Sequence, residues 1–219
     1  MPESGRVPEP TLSRLSGYLR CLRRLAKEGV RTISSATMAR RCGVAAVQIR
    51  KDLSYFGVLG RPGIGYEVQH LLARLTEIMH LDRQHCVVIV GAGNLGSALA
   101  GYSGFVLSPF RVVGIFDNNM AKIGRRLWNL EILDVNRMPE ANQELQATIG
   151  MLAVPAEAAQ EATELLVRSG IRAILNFAPR TINAPAAVAV RNVDLTRELE
   201  ILCYYIDRIS PPRQPAPVS

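Results

Sequence analysis

The stretch HCVVIVGAGNLG at residues 85–96 constrains the fold most, because it joins a short apolar run to a glycine-rich turn. The apolar run is mostly β-branched, which is typical of a parallel strand covered on both faces. Of the three glycines, Gly91 permits a tight bend, Gly93 lets a pyrophosphate approach the backbone, and Gly96 lets the following helix pack against the strand. The N–H groups at the start of that helix would then face the phosphates, so the stretch predicts a dinucleotide-binding unit.

A second strand is predicted at residues 111–116 and ends at Asp117, which lies 21 residues after Gly96. An acid at this position can accept hydrogen bonds from the ribose hydroxyls of an adenosine and repels a 2′-phosphate, so NAD(H) is favoured over NADP(H). Lys122 follows closely enough to approach the adenosine, although a solvated lysine is the alternative interpretation. A glycine-rich loop can also serve only to turn a corner, and an empty doubly wound domain is the competing prediction for the whole unit.

Three further apolar strands are predicted at residues 148–154, 172–178 and 188–193. In an open α/β sheet the ligand lies outside the carboxyl ends of the strands, so the residues at these ends are expected to line the nicotinamide half of the cleft. The segment between residues 118 and 142 gives no clear pattern. The residues assigned to the cofactor by this argument are Gly91, Ala92, Gly93, Asn94, Leu95, Gly96, Asp117, Lys122, Val154, Pro155, Asn176, Phe177 and Ala178.

Net charge divides the chain into two parts. Residues 1–80 hold 13 lysines and arginines against 6 acidic residues, whereas residues 81–219 hold 13 of each, so the whole charge of +7 belongs to the first part. A basic segment attached to a neutral one indicates that the first meets a polyanion and the second does not. A solvated basic face is the alternative interpretation.

The basic part contains a pattern typical of a helix-turn-helix at residues 34–57. A small residue, Ala39, lies where two helices would cross, Gly43 can adopt the backbone angles of the turn, and Ile49 reaches the shared core. The second helix is predicted to run from about Ala45 to Phe56. It is expected to bury one side and to expose a polar, cationic side suited to a major groove.

The two sides of this second helix are assigned by residue type. The buried set is Val44, Val47, Ile49 and Leu53, and the exposed set is Gln48, Arg50, Lys51, Ser54 and Tyr55. We therefore predict DNA binding by a helix-turn-helix region that spans about Gly17 to Phe56. An ordinary helical hairpin is the alternative.

The segment VLGRPGIGY at residues 58–66 predicts a short β-hairpin beside the second helix, because three glycines and a proline stand between apolar residues. Such a hairpin would make the DNA-binding domain winged. Arg61 would lie at its tip, where it could enter a minor groove or contact a phosphate. A purely structural turn is equally compatible with the sequence.

Two further helices complete the predicted organisation. A leucine stripe from Leu12 to Leu25 predicts a helix that stops at Gly29. The apolar periodicity of residues 195–209 predicts a last helix that must pack on another surface, for example on a second subunit. We predict a winged-helix domain at residues 1–81, a Rossmann-type doubly wound parallel sheet at 82–195, a dimerisation helix at 196–209 and a disordered tail at 210–219.

The sequence also bears on location and on metal chemistry. No apolar run approaches the length of a membrane span and the first residues lack the hydrophobic segment of a signal peptide, so a cytoplasmic protein without membrane contact is expected. The cysteines at positions 21, 42, 86 and 203 are far apart and form no CxxC pair, so neither a metal site nor a disulfide framework is predicted. We interpret them as reduced packing residues, and a redox-active thiol is the less favoured alternative.

An NAD-dependent dehydrogenase is the competing function from another class. A hydride-transfer enzyme needs a positioned proton donor or acceptor. After Gly91 the chain has no histidine, one lysine and no Tyr-x-x-x-Lys pair, so the cofactor is better interpreted as a signal than as a reagent. A winged-helix regulator that senses another nucleotide-like ligand is the third hypothesis.

Several runs of residues resemble the Rex family of redox-sensing transcriptional repressors, from about residue 12 to residue 209. They are SRLSGYLR at 13–20, QIRKDLSYFG at 48–57, GIGY at 63–66, VGAGNLGSALA at 90–100, ILNFAP at 174–179 and NVDL at 192–195. The resemblance implies a homodimer of winged-helix and Rossmann domains whose C-terminal helices are exchanged between subunits. It also implies that operator DNA is bound when NADH is scarce and released when NADH accumulates.

The resemblance further implies roles for individual residues. Arg50 and Lys51 would contact DNA, and the loop at 91–96 would hold the pyrophosphate. A switch would consist of Arg20, Tyr102 and Asp194, in which the acid pairs with the arginine in one state and with the tyrosine in the other. We expect Asp194 to be buried, so that it senses the charge difference between NAD⁺ and NADH. Two positions depart from relatives: Asn94 replaces an arginine, and Arg61-Pro62 reverses the small-then-basic order common in the wing.

Overall fold

The structure, a computed structural model, describes residues 7–58, 60–106 and 108–206. It divides into two compact units, Met1–Arg83 and Gln84–Ser219. Residues 1–6, residues 207–209 of the predicted last helix and the predicted tail at 210–219 lie outside the described residues. Within the described part, no helix is both long enough and apolar enough to cross a membrane.

The first unit packs four helices around one apolar core and carries a small two-stranded sheet. Its elements are α1 Glu9–Lys27, β1 Thr32–Ile33, α2 Ser35–Cys42, α3 Ala46–Ser54, β2 Tyr66–Glu67 and α4 Val68–Ile78. The leucines of α1 pack against Met38 of α2, Ile49 of α3 and Leu71 of α4 in that core. The predicted stop at Gly29 is confirmed, because α1 ends at Lys27 and Gly29 has a left-handed φ of +73°.

Helices α2 and α3 form the predicted helix-turn-helix. Ser34 caps α2 by accepting a hydrogen bond from the N–H of Thr37 at 3.1 Å, and Gly43 ends it with a left-handed φ of +67°. The predicted buried side of α3 was wrong at Val47, which is 64% exposed. Asp52 occupies the buried face instead, beside Ile49 and Leu53.

The predicted end of the second helix at Phe56 was wrong. Helix α3 ends at Ser54, and Phe56 lies in the turn that follows, where its N–H donates to the carbonyl oxygen of Leu53 at 3.1 Å. The next residue, Gly57, has a left-handed φ of +67°, which a continued helix does not allow. The half-buried ring of Phe56 packs against the apolar core, so it supports the unit from within rather than extending the exposed face of α3.

The other predicted limit of the DNA-binding region, Gly17, falls inside a helix. It is the ninth residue of α1, which begins at Glu9, and it is half-buried. A boundary at Gly17 therefore corresponds to no break in the chain. The region from Gly17 to Phe56 contains the second half of α1 together with the whole of α2 and α3.

The predicted hairpin at residues 58–66 was wrong in its extent. The chain reverses through one antiparallel bridge between Arg61 and Gly65, and the next two residues form β2. Strand β2 then pairs with β1, which precedes α2, so that Tyr66 lies opposite Ile33. Gly65 is required here because its φ is +93° and a Cβ would lie 2.4 Å from the carbonyl oxygen of Ile33.

The second unit is a seven-stranded, mostly parallel sheet in the order β5-β6-β4-β3-β7-β8-β9. Its strands are β3 His85–Val90, β4 Phe110–Asp117, β5 Arg126–Leu127, β6 Leu130–Asp134, β7 Ile149–Leu152, β8 Ala173–Asn176 and β9 Ala189–Asn192. Only the short edge strand β5 runs antiparallel to its neighbour among these strands. The predicted α/β architecture is therefore confirmed.

Helices and apolar side chains cover both faces of this sheet. The covering helices are α5 Asn94–Ala100, α6 Met138–Leu145 and α7 Ala159–Arg168, with short 3₁₀ turns at Ser103–Phe105, Val135–Arg137 and Ala156–Ala158. The last helix, α8 Leu195–Ile206, follows β9 and has no buried residue. Alternate residues of β3 point into separate cores: Val88 and Val90 into one, Val87 and Ile89 into the other. Strand β3 is thus buried on both sides, as its unbroken apolar run predicts.

Candidate nucleotide and DNA sites

A cleft lies at the carboxyl ends of the central strands β3 and β7. Strand β4 lies on one side of β3 and β7 on the other, so the loops that leave β3 and β7 separate at a topological switch point, where open α/β sheets bind ligands. A cavity of about 610 Å³ occupies this place. The residues that line it and were assigned to the cofactor from the sequence are Gly91, Gly93, Asp117, Lys122, Val154 and Pro155.

The glycine loop is built so that its backbone is exposed to the cleft. Gly91 has a φ of +102°, and a Cβ there would lie 2.3 Å from the carbonyl oxygen of Ala153. A Cβ at Gly96 would lie 1.8 Å from the carbonyl oxygen of Gly91, whereas a Cβ at Gly93 would meet no atom within 4 Å. Gly91 and Gly96 are therefore required by the fold itself, and Gly93 leaves open space for a bound group.

Asp117 at the end of β4 ties the glycine loop to the adjacent strand. Its Oδ2 accepts hydrogen bonds from the N–H of Ala92 at 2.8 Å and from Nζ of Lys122 at 2.9 Å, and its Oδ1 accepts one from the N–H of Asn119 at 2.8 Å. Burial favours the neutral acid, but the bonds from Asn119, Lys122 and Ala92 outweigh it and lower the pKa of Asp117. The carboxylate is thus ionised at neutral pH and holds Ala92 in place.

A second, smaller cavity of about 340 Å³ lies in the same unit and has an entirely apolar lining. Tyr102 and Phe177 line it together, beside Met151, Leu175 and Phe105. The structure therefore brings one predicted switch residue and one predicted nicotinamide-side residue to a single apolar space. The ring of Tyr102 packs edge-on against that of Phe105, with 5.1 Å between the ring centroids.

Asn176, another predicted cofactor residue, uses its side chain inside the protein. Its amide nitrogen donates to the carbonyl oxygen of Arg180 and to Oδ1 of Asn192, both at 2.9 Å, and its Oδ1 accepts from the N–H of Ala178 at 3.0 Å. Asn176 is 1% exposed. These bonds hold together the ends of β8 and β9, which places Phe177 and Ala178 at the carboxyl edge of the sheet.

Five polar residues that line the larger cavity were not predicted from the sequence: Asn118, Asn119, Asn136, Glu161 and Arg168. Asn118 directly follows Asp117, so the end of β4 was a usable signal. Asn136 follows β6, a strand that lies in the segment where the sequence showed no pattern. Glu161 and Arg168 lie on α7, and nothing in their spacing distinguishes them from a solvated face.

In the first unit, a buried carboxylate joins α3 to α1. Asp52 is fully buried and accepts hydrogen bonds from the Arg14 guanidinium, with Nε 2.6 Å from Oδ2 and the second nitrogen 2.8 Å from Oδ1. The hydroxyl of Tyr18 donates to Oδ2 at 2.8 Å, and Thr11 and Gln48 donate to Oδ1 at 3.2 and 2.8 Å. This network was not predicted from the sequence, because its members lie on two helices that are far apart along the chain.

The charges in this network stabilise one another. Burial favours the neutral acid, but the bonds from Arg14, Tyr18 and Gln48 outweigh it and lower the pKa of Asp52 to about 2. The bond to Asp52 raises the pKa of Arg14, and burial together with the same carboxylate raises the pKa of Tyr18. The pair is therefore ionised at neutral pH and fixes the orientation of α3 against α1.

The predicted DNA-binding side chains differ in what they contact. Lys51, Ser54, Tyr55 and Arg61 are exposed, as is Arg50, whose guanidinium donates to the Ser35 hydroxyl at 2.9 Å. The amide of Gln48 is half-buried and directed at Asp52. The exposed face of α3 is thus cationic and polar, and Gln48 contributes to the support of the helix.

The chain is similar to known protein families over most of its length. Residues 6–54 match a family model of DNA-binding protein N-termini, and residues 82–180 match the CoA binding domain. A relative from Carboxydothermus hydrogenoformans named redox-sensing transcriptional repressor Rex is 46% identical over 203 residues, which are 93% of this chain and 98% of the relative. The chain belongs to the Rex family of redox-sensing transcriptional repressors.

Two solved structures of RSP, a Rex-family repressor, match the whole fold. The complex of RSP with β-NAD⁺ and operator DNA has a TM-score of 0.87 and 39% identity, covering 92% of this chain and 93% of that one. The complex with β-NADH has a TM-score of 0.84 and 37% identity, covering 94% and 96%. The predicted family and architecture are confirmed by these matches.

The residues of the proposed Rex switch lie in both units. Arg20 is an exposed residue of α1 in the first unit, and Tyr102 and Asp194 belong to the second. The expectation that Asp194 is buried was wrong, since its side chain is exposed and caps α8 by accepting from the N–H groups of Thr196 and Arg197 at 3.0 and 3.1 Å. The switch itself stays a prediction.

Helix α8 has no buried residue in the chain as described. Its apolar side chains are largely exposed: Leu195, Leu199, Ile201, Leu202, Tyr204, Tyr205 and Ile206. A helix with this much apolar surface requires a covering surface, which agrees with the predicted exchange of this helix between subunits.

In the part of the chain that the structure describes, no group of three or more His, Cys, Asp or Glu side chains could hold a metal ion.

Proposed function

We propose that this Rex-family chain binds operator DNA through α3 and the adjacent turn, holds NAD(H) at the β3–α5 loop, and releases DNA when NADH replaces NAD⁺. One observation carries the proposal: a single chain combines the exposed cationic face of α3 with a glycine-loop cleft at the sheet's switch point. The RSP complexes support it, because operator DNA accompanies NAD⁺ in one and the other contains NADH.

The cleft residues fit a dinucleotide. The open side of Gly93 has room for the pyrophosphate, and Asp117 lies where a ribose would be expected. A carboxylate offers about four acceptor positions, and three are occupied by Ala92, Asn119 and Lys122. The remaining position accepts one ribose hydroxyl, and displacement of the partly exposed Lys122 ammonium frees a second. Asp117 therefore selects NAD(H) while continuing to hold the loop.

The apolar cavity suits the nicotinamide end. The nicotinamide of NADH is uncharged and that of NAD⁺ carries a positive charge, so an apolar space lined by Tyr102 and Phe177 favours the reduced ring. This apolar lining thus gives a physical reason for the chain to bind NADH more tightly than NAD⁺, as a sensor of the reduced cofactor must. Asp194 and Arg20 respond to the occupied state, and the uncovered apolar face of α8 packs on a second subunit to form a homodimer.

We also propose that the chain does not turn over its cofactor. The relatives are named repressors, and no histidine follows Gly91 in the sequence. The one lysine of this part, Lys122, is hydrogen-bonded to Asp117 and not placed beside the apolar cavity. Hydride transfer to a carbonyl compound would lack a positioned proton donor.

We also propose a cytoplasmic location, because a regulator that binds operator DNA acts in the compartment that contains the DNA.

The experiment compares operator binding under the two redox forms. A duplex is first selected from a random pool with the NAD⁺-bound protein, and its affinity is then measured by fluorescence anisotropy with NAD⁺ and with NADH at one salt concentration. We expect NADH to weaken binding by about tenfold or more, the usual size of an allosteric coupling. Equal affinities under both forms would overturn the proposal.

Two controls separate sensing from catalysis and from general charge effects. Steady oxidation of NADH on addition of a small carbonyl compound would restore the dehydrogenase hypothesis. A thermal-shift comparison of NADH with NADPH tests the role of Asp117, since its carboxylate repels a 2′-phosphate. Equal stabilisation by NADH and NADPH would contradict that role.

A further inference from the structure

Val47 is an apolar residue on the exposed, cationic face of α3. Its side chain is 64% exposed. It precedes Arg50 by three positions, Lys51 by four and Ser54 by seven, so these four residues share one face of the helix. The other three are exposed as well. The face that is proposed to meet DNA therefore presents a branched apolar group among its polar and charged groups.

The next side chain, Gln48, is held in one orientation by Asp52. Nε2 of Gln48 lies 2.8 Å from Oδ1 of Asp52. This carboxylate is fully buried and also accepts hydrogen bonds from Arg14 and Tyr18. An ionised carboxylate can only accept hydrogen bonds, so the amide of Gln48 turns its nitrogen toward Asp52 and its oxygen away.

This orientation leaves Gln48 with hydrogen-bonding groups for a partner. Within residues 7–58, 60–106 and 108–206, its Oε1 accepts no hydrogen bond. In the same residues no buried side-chain nitrogen or oxygen lacks a hydrogen-bond partner, so Oε1 is accessible to solvent. A primary amide has two N–H donors, and Asp52 takes one. One donor and one acceptor therefore remain side by side at the start of α3.

We propose that the first turn of α3 determines operator specificity: Val47 contacts the methyl group of a thymine, and Gln48 pairs with the major-groove edge of an adenine. Thymine is the base that presents a methyl group in that groove, and adenine is the base that presents the N7 acceptor beside the N6 amino donor. Residues at the start of a recognition helix contact base edges, and Val47 and Gln48 are the second and third residues of α3. Asp52 is then a positioning residue, which acts through Gln48.

The proposal rests on the proposed function and is tested first by changing single atoms of the DNA. In the selected duplex each thymine is replaced in turn by uracil, which lacks the methyl group, and each adenine by 7-deazaadenine, which lacks the N7 acceptor. Affinity is measured by fluorescence anisotropy with NAD⁺ at one salt concentration. We expect a loss of about fourfold at one thymine or more and of about tenfold at one adenine or more. Because the protein is unaltered, its folding does not affect the comparison.

The outcomes separate this proposal from the proposed function. Indifference to every uracil would overturn the role of Val47, and indifference to every 7-deazaadenine would overturn that of Gln48, while the duplex is still bound and released by NADH. Failure of the wild-type chain to bind any selected duplex would refute the proposed function and the base contacts together.

Variants of α3 then assign each sensitivity to a side chain. We expect Val47→Ser to lose the response to uracil and keep the response to 7-deazaadenine, and Val47→Thr, which keeps one methyl group, to retain part of the uracil response. We expect Gln48→Ala to show the reverse pattern. The matched control on the same face is Lys51→Ala, which should weaken all duplexes alike and keep both responses. A Val47→Ser or Gln48→Ala chain with the full wild-type pattern would contradict the assignment.

The positioning role of Asp52 has a readout of its own. In Asp52→Asn the new amide can donate to Oε1 of Gln48 as well as accept from Nε2, so Gln48 is no longer held in one orientation. We expect the response to 7-deazaadenine to fall and the response to uracil to remain. A loss of stability alone would weaken all duplexes by one factor and leave both responses unchanged, and that result would exclude Asp52 from base recognition.

Discussion

Replacement of Asp52 by asparagine should loosen the DNA-binding unit more than any other single isosteric change on α3. The substitution keeps the shape of the side chain but removes the charge that the Arg14 guanidinium meets through two hydrogen bonds, at 2.6 and 2.8 Å. The hydroxyl of Tyr18 also loses a charged acceptor. Because these bonds fix α3 against α1, the loss affects both stability and the orientation of the exposed cationic face.

The magnitude follows from the titration of the buried carboxyl. Its pKa falls from 3.8 to about 2 in the folded chain, which corresponds to about 2 kcal/mol of stability at neutral pH. An acid whose folded pKa is depressed stabilises the fold above its unfolded pKa, so this contribution is complete above about pH 5, roughly half remains at pH 3, and it is lost as the pH falls below 2. At neutral pH the variant also leaves Arg14 without its ion-pair partner, which sets an upper limit of about 5 kcal/mol.

The assay is urea unfolding of the full chain, read by pulsed hydrogen exchange on peptides that cover α1 and α3. The free energy of unfolding of wild type minus that of Asp52→Asn should be between about 2 and 5 kcal/mol at pH 7 and clearly smaller at pH 3. The matched control is Glu28→Gln, which removes an exposed ion pair with Arg41 and should change little. A difference that is absent at pH 7, or identical at pH 7 and pH 3, would refute the reasoning.

Four further predictions concern the two sites. Gly96→Ala should abolish NADH binding and lower the thermal midpoint, because the new Cβ meets a backbone oxygen at 1.8 Å, whereas Gly93→Ala should keep the midpoint and weaken NADH binding only; equal midpoints for both variants would contradict this. Asp117→Asn should weaken NADH by about tenfold in calorimetry, through loss of a charged acceptor, and an unchanged affinity would remove it from the site. Asp194→Ala should keep basal operator binding but reduce its response to NADH, and a full response would exclude it from the switch. Lys51→Ala should lower the slope of log affinity against log salt by about 1, and an unaltered slope would show that Lys51 meets no phosphate.

The sequence predicts the central part of the nucleotide unit well because the strand pattern, the glycine spacing and the position of the acid all indicate the same structure there. Strand β3, the three glycines and the acid that ends β4 form a continuous pattern, and the structure joins the glycine loop to Asp117 through Ala92. The region between residues 118 and 142 gave no such pattern, because β5 has two residues and β6 five, with charged residues in both. Strand β6 is held by pairing with β4, and the edge strand β5 by pairing with β6, rather than by their own propensity.

The end of α3 shows how a boundary is misplaced when the apolar pattern continues past the helix. Phe56 is apolar and packs on the core, as a residue of the buried helix face would, but it does so from the turn after Ser54. Gly57 was the usable signal, because a glycine in the left-handed region commonly follows a helix end.

Contacts between polar side chains that are far apart in the sequence were the main feature that the sequence did not predict. Asp52 falls on the same helix face as Ile49 and Leu53, a spacing that could have predicted its burial. Its partners Arg14 and Tyr18 lie one helical turn apart on α1, but more than 30 residues away in sequence. Asp194 was expected to be buried, and within one chain it caps an exposed helix instead.

Release of operator DNA by NADH requires a reciprocal coupling between the two ligands, and linkage allows that coupling to be measured from both sides. The dissociation constant of NADH is determined by calorimetry for the free protein and for the protein saturated with the selected duplex, at one salt concentration. We predict that the duplex weakens NADH by the same factor by which NADH weakens the duplex, about tenfold or more. An NADH affinity that is identical with and without DNA would contradict the central claim.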